Sequence, residues 1–275
     1  MFGPSLEGPT SVRVYAELAR LAWQRQRAYG NANLAGLFTN SFFGYIRVVP
    51  LIAAFASRPE ISGYDRDAAI TWNWLVQSLI TIVALWGWWE VALTIRSGEV
   101  AIDLARPIHY LGYWLARDVG RAAYSTVYRF IPILIVGQLV SGLRWPEAPW
   151  LTWPAFLCSL ILALFTSFAW RFLLNLGAFW LTDYRAIASL GLVATTFLSG
   201  FLVPLAFFPP AIRSILEVLP FAAIIQTPAT VFLERAEGLD LALLLAEQLG
   251  WAIVMLGVAH WGAQVAMRRV TVQGG

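Results

Sequence analysis

Apolar runs too long for a soluble core, separated by short stretches whose only cations are arginines, confine this chain to a bilayer. Ala155 to Leu181 holds one charged residue, Arg171, and Leu239 to Met267 contains no arginine at all. About 20 predominantly apolar residues suffice for a helix to cross the ~30 Å hydrocarbon layer, so each run is long enough for a span. At 59% hydrophobic and 13% charged over 275 residues, there is too little polar surface for a soluble protein of this size. The expected class is an all-α membrane protein.

Six spans are predicted: Leu34 to Ala56, Ala68 to Ile95, Ala122 to Gly142, Ala155 to Leu181, Ala186 to Phe207, and Leu239 to Met267. Before them, residues 1–33 form an N-terminal segment. Gly3, Pro4, Gly8 and Pro9 read as a flexible lead-in, and Thr10 or Ser11 as a helix cap. Arg13, Glu17, Arg20, Gln24 and Arg27 then share one face while Val14, Leu18, Leu21 and Ala22 line another, the pattern of an amphipathic helix lying in the membrane interface. Residues 268–275 form a short tail behind Arg268 and Arg269. Between the fifth and sixth spans, residues 208–234 are apolar but interrupted by Pro209, Pro210, Pro220 and Pro228, which excludes one straight crossing and predicts two short helices that dip in and return.

One stretch does not look like membrane. Residues 96–121 carry charges of both signs and two opposed helical faces: Val100, Leu104, Ile108, Leu111 and Leu115 on one, Arg106, His109, Tyr113 and Arg117 on the other. It reads as a docking surface between the second and third spans. Six spans place both termini on one side, and the arginines then orient the chain. Eleven fall on the terminal side, five on the other and three within spans, which predicts cytoplasmic termini and a cytoplasmic docking surface.

Composition also excludes chemistries. All 19 cationic side chains are Arg, so no P-loop lysine and no Schiff-base amine exists on this chain. Cys158 is the single cysteine, which rules out an intrachain disulfide and any cysteine cluster, and His109 and His260 are too far apart in sequence to suggest a metal site. The arginines flank apolar runs rather than forming a patch, so no nucleic-acid partner is expected. A membrane enzyme acting on lipid or lipid-linked substrate is the alternative, with Glu90, Asp118 and Asp183 as its only scattered candidates.

The order of parts resembles the membrane subunits of ABC-2 type ABC exporters. Arg96-Ser97-Gly98-Glu99 followed by Leu104-Ala105-Arg106-Pro107 looks like the coupling segment of a drug-exporter-like branch. Leu198-Ser199-Gly200, Pro204, Phe208-Pro209, Leu219-Pro220-Phe221 and Pro228 resemble that family's re-entrant region. The resemblance implies a permease in a bacterial plasma membrane that is not itself an enzyme. It implies a separate ATPase subunit, in two copies and carrying the ATP and Mg, and a second permease subunit, identical or paralogous. Gly98, Glu99, Asp103, Arg106 and Pro107 are then the expected ATPase-coupling residues. Pro107 suits the first turn of the following helix.

Arg47, Arg171 and Asn175 are the candidates for the translocation path. Both arginines lie roughly 15 to 20 Å from their cytoplasmic span ends at 1.5 Å per residue, where a charge is expensive unless it faces protein or water. Internal pairing with Glu90 or a carbonyl is the structural alternative. Glu90 is expected to link its span to the N-terminal helix, and Trp86, Trp88 and Trp89 to anchor at the interface.

Overall fold

The computed structural model describes residues 12–28, 30–86, 88–181 and 183–269. The expected lead-in, its cap at Thr10 or Ser11, and the tail beyond Arg269 lie outside them. Twelve helices follow in order: α1 (Val12–Arg27), α2 (Gly30–Ser57), α3 (Arg66–Val83), α4 (Glu90–Ser97), α5 (Val100–Ala105), α6 (Tyr110–Ser125), α7 (Ile131–Ser141), α8 (Pro149–Leu176), α9 (Arg185–Leu198), α10 (Pro210–Val218), α11 (Gln226–Phe232) and α12 (Gly238–Met267). A two-stranded hairpin, β1 (Glu60–Ile61) with β2 (Tyr64–Asp65), joins α2 to α3. Among the described residues, four stretches are long and apolar enough to cross a membrane: Asn33–Ser57, Tyr110–Ser141, Pro149–Phe179 and Gly238–Met267.

Three expected spans come out differently. The run from Ala68 to Ile95 is not one helix. It stops at Ala84, whose φ of 48° is left-handed, and restarts at Glu90. The third helix begins at Tyr110, twelve residues before the expected Ala122, and continues through a π-bulge at Thr126–Phe130 into α7. Pro132 accounts for the bulge: it has no N–H to donate, and its ring crowds the carbonyl one turn back, so the backbone widens locally. The fifth helix ends at Leu198. Its 14 residues reach only about 21 Å at 1.5 Å per residue, and the chain from Ser199 to Pro204 is irregular.

Contacts along the bundle give its directions. Gln77 meets Asn40 and Asn73 the Gly44 carbonyl, while Trp74 meets Ser141 and the Ile82 carbonyl meets Arg121, so α3 is antiparallel to both α2 and α6–α7. Gln248 bonds the Ser159 carbonyl and Gly262 lies against Leu173, which makes α8 and α12 parallel. Trp170 meets Thr195 near one end of α9 and Gly177 faces Ile187 near the other, so α9 runs against α8. Arg171 meets Asp118 and Phe156 meets Phe130, so α8 runs against α6–α7, and α2 starts at the end of the bundle where α12 finishes.

Small residues let the helices approach. Trp74, fully buried, is sandwiched between Gly44 of α2 and Gly137 of α7, where a Cβ would come within 2.8 and 2.7 Å of the indole. At Gly120 of α6 a Cβ would collide with the Ala19 carbonyl of α1, so the N-terminal helix lies directly on α6. There Leu18, Ala22 and Trp23 are half-buried while Arg13, Glu17, Arg20, Gln24 and Arg27 stay exposed; Val14 and Leu21 are exposed as well.

The opposite end is closed by ion pairs and caps. Arg144 pairs with Asp65 and Glu147, and Arg235 bonds the Gly63 carbonyl with its guanidinium over Tyr64. The Glu234 carboxylate accepts from Thr152 Oγ1 and from the backbone N–H groups of Glu147 and Ala148, substituting for a side-chain N-cap that α8 lacks. Burial opposes ionisation of Glu234, but these hydrogen bonds and the Arg144 charge outweigh it and hold the carboxyl below its usual range. Glu234→Ala is expected to cost about 0.5–2 kcal/mol at neutral pH, the scale of a lost N-cap. A depressed folded pKa gives stability that is present above the unfolded value near 4.5 and lost as pH falls through the lower folded one. The difference between variant and parent in thermal unfolding should therefore shrink below about pH 4.

Candidate functional site

The break between α3 and α4 organises the polar interior. Ending a helix inside the bundle leaves carbonyls without intrahelical partners, and each must find a donor. Arg121 of α6 donates to the Thr81 and Ile82 carbonyls at 3.1 and 2.6 Å, placing a cation at the negative end of α3. Ser167 of α8 donates to the Val83 carbonyl.

Restarting the chain falls to Asn175 of α8. Its Nδ2 donates to the Trp88 carbonyl at 3.0 Å, and its Oδ1 accepts from the Ala92 N–H at 2.9 Å in the first turn of α4. Buried completely, Asn175 fastens both sides of the α4 start to α8. Trp88, expected as an interface anchor, is instead buried against Trp114 and Phe168. Trp86 is 46% exposed.

Four residues before Asn175, Arg171 is buried and its Nη2 bonds Asp118 Oδ2 at 2.7 Å. Asp118 Oδ1 accepts from Arg121 Nε at 2.7 Å and Arg171 Nη1 at 3.3 Å. Arg171 Nε reaches Ser167 Oγ, and its guanidinium plane lies over Trp88. One carboxylate thus holds two guanidiniums, one of them capping α3. Nothing in the local pattern of either helix identified Asp118 and Arg121 as partners of Arg171.

The second break, at the end of α9, is served by Arg47 of α2. Its Nη2 donates to the Phe201 and Leu202 carbonyls, both at 2.7 Å, and the side chain lies over the Phe201 ring. Arg47 and Arg171 are therefore not brought together: each satisfies a different discontinuity in the bundle. A cavity of about 310 Å³ between α8, α9 and the α3–α4 break is lined by Trp88, Trp89, Trp170, Arg171, Tyr184 and Thr195, so Arg171 borders open space as well as Asp118.

The expected coupling residues stand together at the end of the bundle where the chain's first and last helices lie. Gly98 takes φ 81°, ends α4 in the left-handed conformation, and turns the chain outward. Glu99 is exposed at the start of α5, and Ile102 at its tip is 61% exposed. Asp103 is turned inward, 8% exposed and paired with Arg106 at 3.3 Å. Burial pushes its carboxyl up against the pull of Arg106 and Arg117. Arg106 stacks over Tyr113 and ends α5 in an extended conformation. Pro107 does not enter the next helix, which starts at Tyr110 behind His109; the imidazole accepts from the Gly112 N–H and caps it.

Of the remainder of the expected docking surface, His109 is exposed and most of the other named residues turn inward. Leu104, Ile108 and Leu115 pack against the cluster holding Phe168, Phe172 and Ala259. Tyr113 is buried and Arg117 turns inward to Glu90 at 2.8 Å. Glu90 also receives Arg25 of α1 at 3.1 Å, which is the link to the N-terminal helix expected of it. Helical two-sidedness placed these residues on a face but could not say that the face meets protein rather than water. His109 and His260 stack at 4.9 Å, so the separation that set them apart in sequence vanishes in the fold. Among the described residues no cluster of three or more potential ligands could hold a metal.

Glu90, Asp118 and Asp183 do not converge. The first two are engaged by guanidiniums and Asp183 accepts from the Arg185 N–H in its own turn, so the membrane-enzyme reading has no support. What the long apolar helices and the internally satisfied breaks define is a multi-pass membrane protein with a discontinuous, arginine-capped interior. A family model described as ABC-2 family transporter protein matches residues 43–274. The chain belongs to that family and is an ABC transporter permease. No curated protein and no solved structure matches it.

Proposed function

We propose that this chain is the membrane subunit of an ATP-driven exporter, working beside a second permease and a pair of separate ATPase subunits. In this reading six passes, α2, α3–α4, α6–α7, α8, α9 and α12, cross a bacterial plasma membrane with both termini in the cytoplasm. Helix α1 lies at the interface, and α10 and α11 form a re-entrant pair. The observation that carries it is the exposed turn from Arg96 to Pro107 in a chain of the ABC-2 family: Gly98 projects it, and Glu99 and Ile102 are free at its surface. Asp103 and Arg106 brace the turn from behind. The absence of any lysine agrees with a motor on another chain.

Mechanically, a push on α5 travels through α4 to Asn175, and from Asn175 along α8 to Arg171, Asp118 and α6. Arg47 ties the end of α9 to α2 on the far side of the same bundle. Arg171 and Asn175 therefore act on the path by positioning its walls, with Arg171 also bordering the 310 Å³ cavity.

The test is purification of the native assembly and identification of an ATP-hydrolysing partner. Glu99→Arg reverses an exposed charge that makes no side-chain cap bond in the fold, so the protein should insert normally. Loss of substrate-stimulated ATPase activity, by about tenfold or more, is the expected outcome. Full stimulation in that variant, or an assembly without an ATPase, refutes the reading.

A further inference from the structure

Five guanidiniums gather between α1, the α3–α4 break, α6 and α8, and four of them share two carboxylates. Arg25 and Arg117 hold Glu90, and Arg121 and Arg171 hold Asp118. Arg129 has no ion pair among the described residues. Its Nη2 donates to Asn33 Oδ1 at 2.6 Å, while its Nε is buried with no partner. Charge uncompensated at this depth is costly, and a guanidinium left with free donors is a ready site for an anion.

The surroundings of Arg129 are shaped for one. The π-bulge carries it, and such bulges redirect single side chains out of helical register. Its guanidinium rests over Gly36 of α2, where even a Cβ would sit 3.5 Å away. Beside it opens a cavity of about 270 Å³ whose polar wall includes Asn40, Thr81, Arg121, Ser125 and Arg129, together with Glu90, whose charge is already held by Arg25 and Arg117. Polar groups converge from α2, α3 and α6, with Trp86 half-exposed at one wall as an apolar surface.

We infer that this cavity is an anion-binding site that takes a phosphate or carboxylate group, through the Arg129 donors that Asn33 leaves unused, with Ser125 and Asn40 beside them. Arg121 adds its charge to the site while its own donors stay on Asp118 and the α3 carbonyls. The group arrives either free or as the head of an amphiphile whose tail lies along Trp86. This inference concerns the isolated permease, so it stands or falls without an ATPase.

The test is thermal unfolding of the purified chain in uncharged detergent against three probes: inorganic phosphate, dodecyl phosphate and dodecyltrimethylammonium. Dodecyl phosphate is expected to raise the unfolding midpoint in a saturable way, and the cationic probe to have no such effect. Arg129→Gln should weaken the apparent affinity about tenfold or more. If that variant does not fold, Arg129→Lys keeps the charge but loses the planar fork, and should weaken binding several-fold. Binding of inorganic phosphate with the same Arg129 dependence identifies a free anion as the ligand. Silence of inorganic phosphate, with a loss for dodecyl phosphate in Trp86→Ala, identifies an amphiphile. Binding of neither anion, equal binding of the cationic probe, or affinity unchanged in the folded Arg129 variants overturns the assignment.

Discussion

Asp118→Asn is expected to destabilise the purified protein by about 3–5 kcal/mol, the usual cost of breaking a buried ion pair from one side. Asp118 is 1% exposed and Arg171 5%, so bulk solvent screens the lost charge poorly. The amide oxygen still accepts hydrogen bonds, but Arg171 loses its counter-charge and Arg121 keeps only neutral acceptors, the amide and the Thr81 and Ile82 carbonyls. Adding Arg171→Met should recover part of the loss, because the deepest uncompensated charge is then gone while Arg121 keeps its carbonyls. Thermal unfolding of the two single variants and the double gives the coupling energy directly. Single losses that simply add, with no recovery in the double, would remove Asp118 from the centre of the interior.

Asn175→Leu is the second large effect, and it separates stability from function. The leucine has comparable bulk but leaves the Ala92 N–H and the Trp88 carbonyl buried without partners, at about 1–3 kcal/mol each. The break at α3–α4 loses its fastening to α8. A protein that still inserts should therefore fail to convert motion of the Arg96–Pro107 turn into rearrangement of α8. In the assembled transporter the expected reading is ATP hydrolysis retained with transport reduced by at least tenfold. Asn175→Asp keeps the Oδ1 acceptor for Ala92 but loses the donor to Trp88, and should fall between. Proportional loss of hydrolysis and transport would make Asn175 a stability residue only.

Much of the architecture was legible before any coordinates. Apolar length marked the long helices, because a bilayer demands internally bonded backbone over a fixed thickness. Proline spacing in 208–234 marked two short helices, seen at Pro210–Val218 and Gln226–Phe232, because Pro cannot donate within a helix interior. Glu90 was read correctly as a link to α1. The breaks were not legible: Ala84 and Ser199 sit in apolar surroundings with no Pro at the point of failure, and hydropathy cannot see backbone geometry. The extent of the docking surface was overread for a related reason. Arg117 and Tyr113 have the periodicity of a solvated face, but the face is covered by α1 and α4.

What the sequence by itself determined is therefore what depends on local chemistry: membrane residence, helix-length segments, the Gly98 turn, and a chain without a lysine to bind ATP. Only the tertiary structure decided where the buried charges go. Ion pairing reaches across helices far apart in sequence, as Asp118 does to Arg171 and Arg47 does to the carbonyls of Phe201 and Leu202, and no periodicity encodes a partner on another helix.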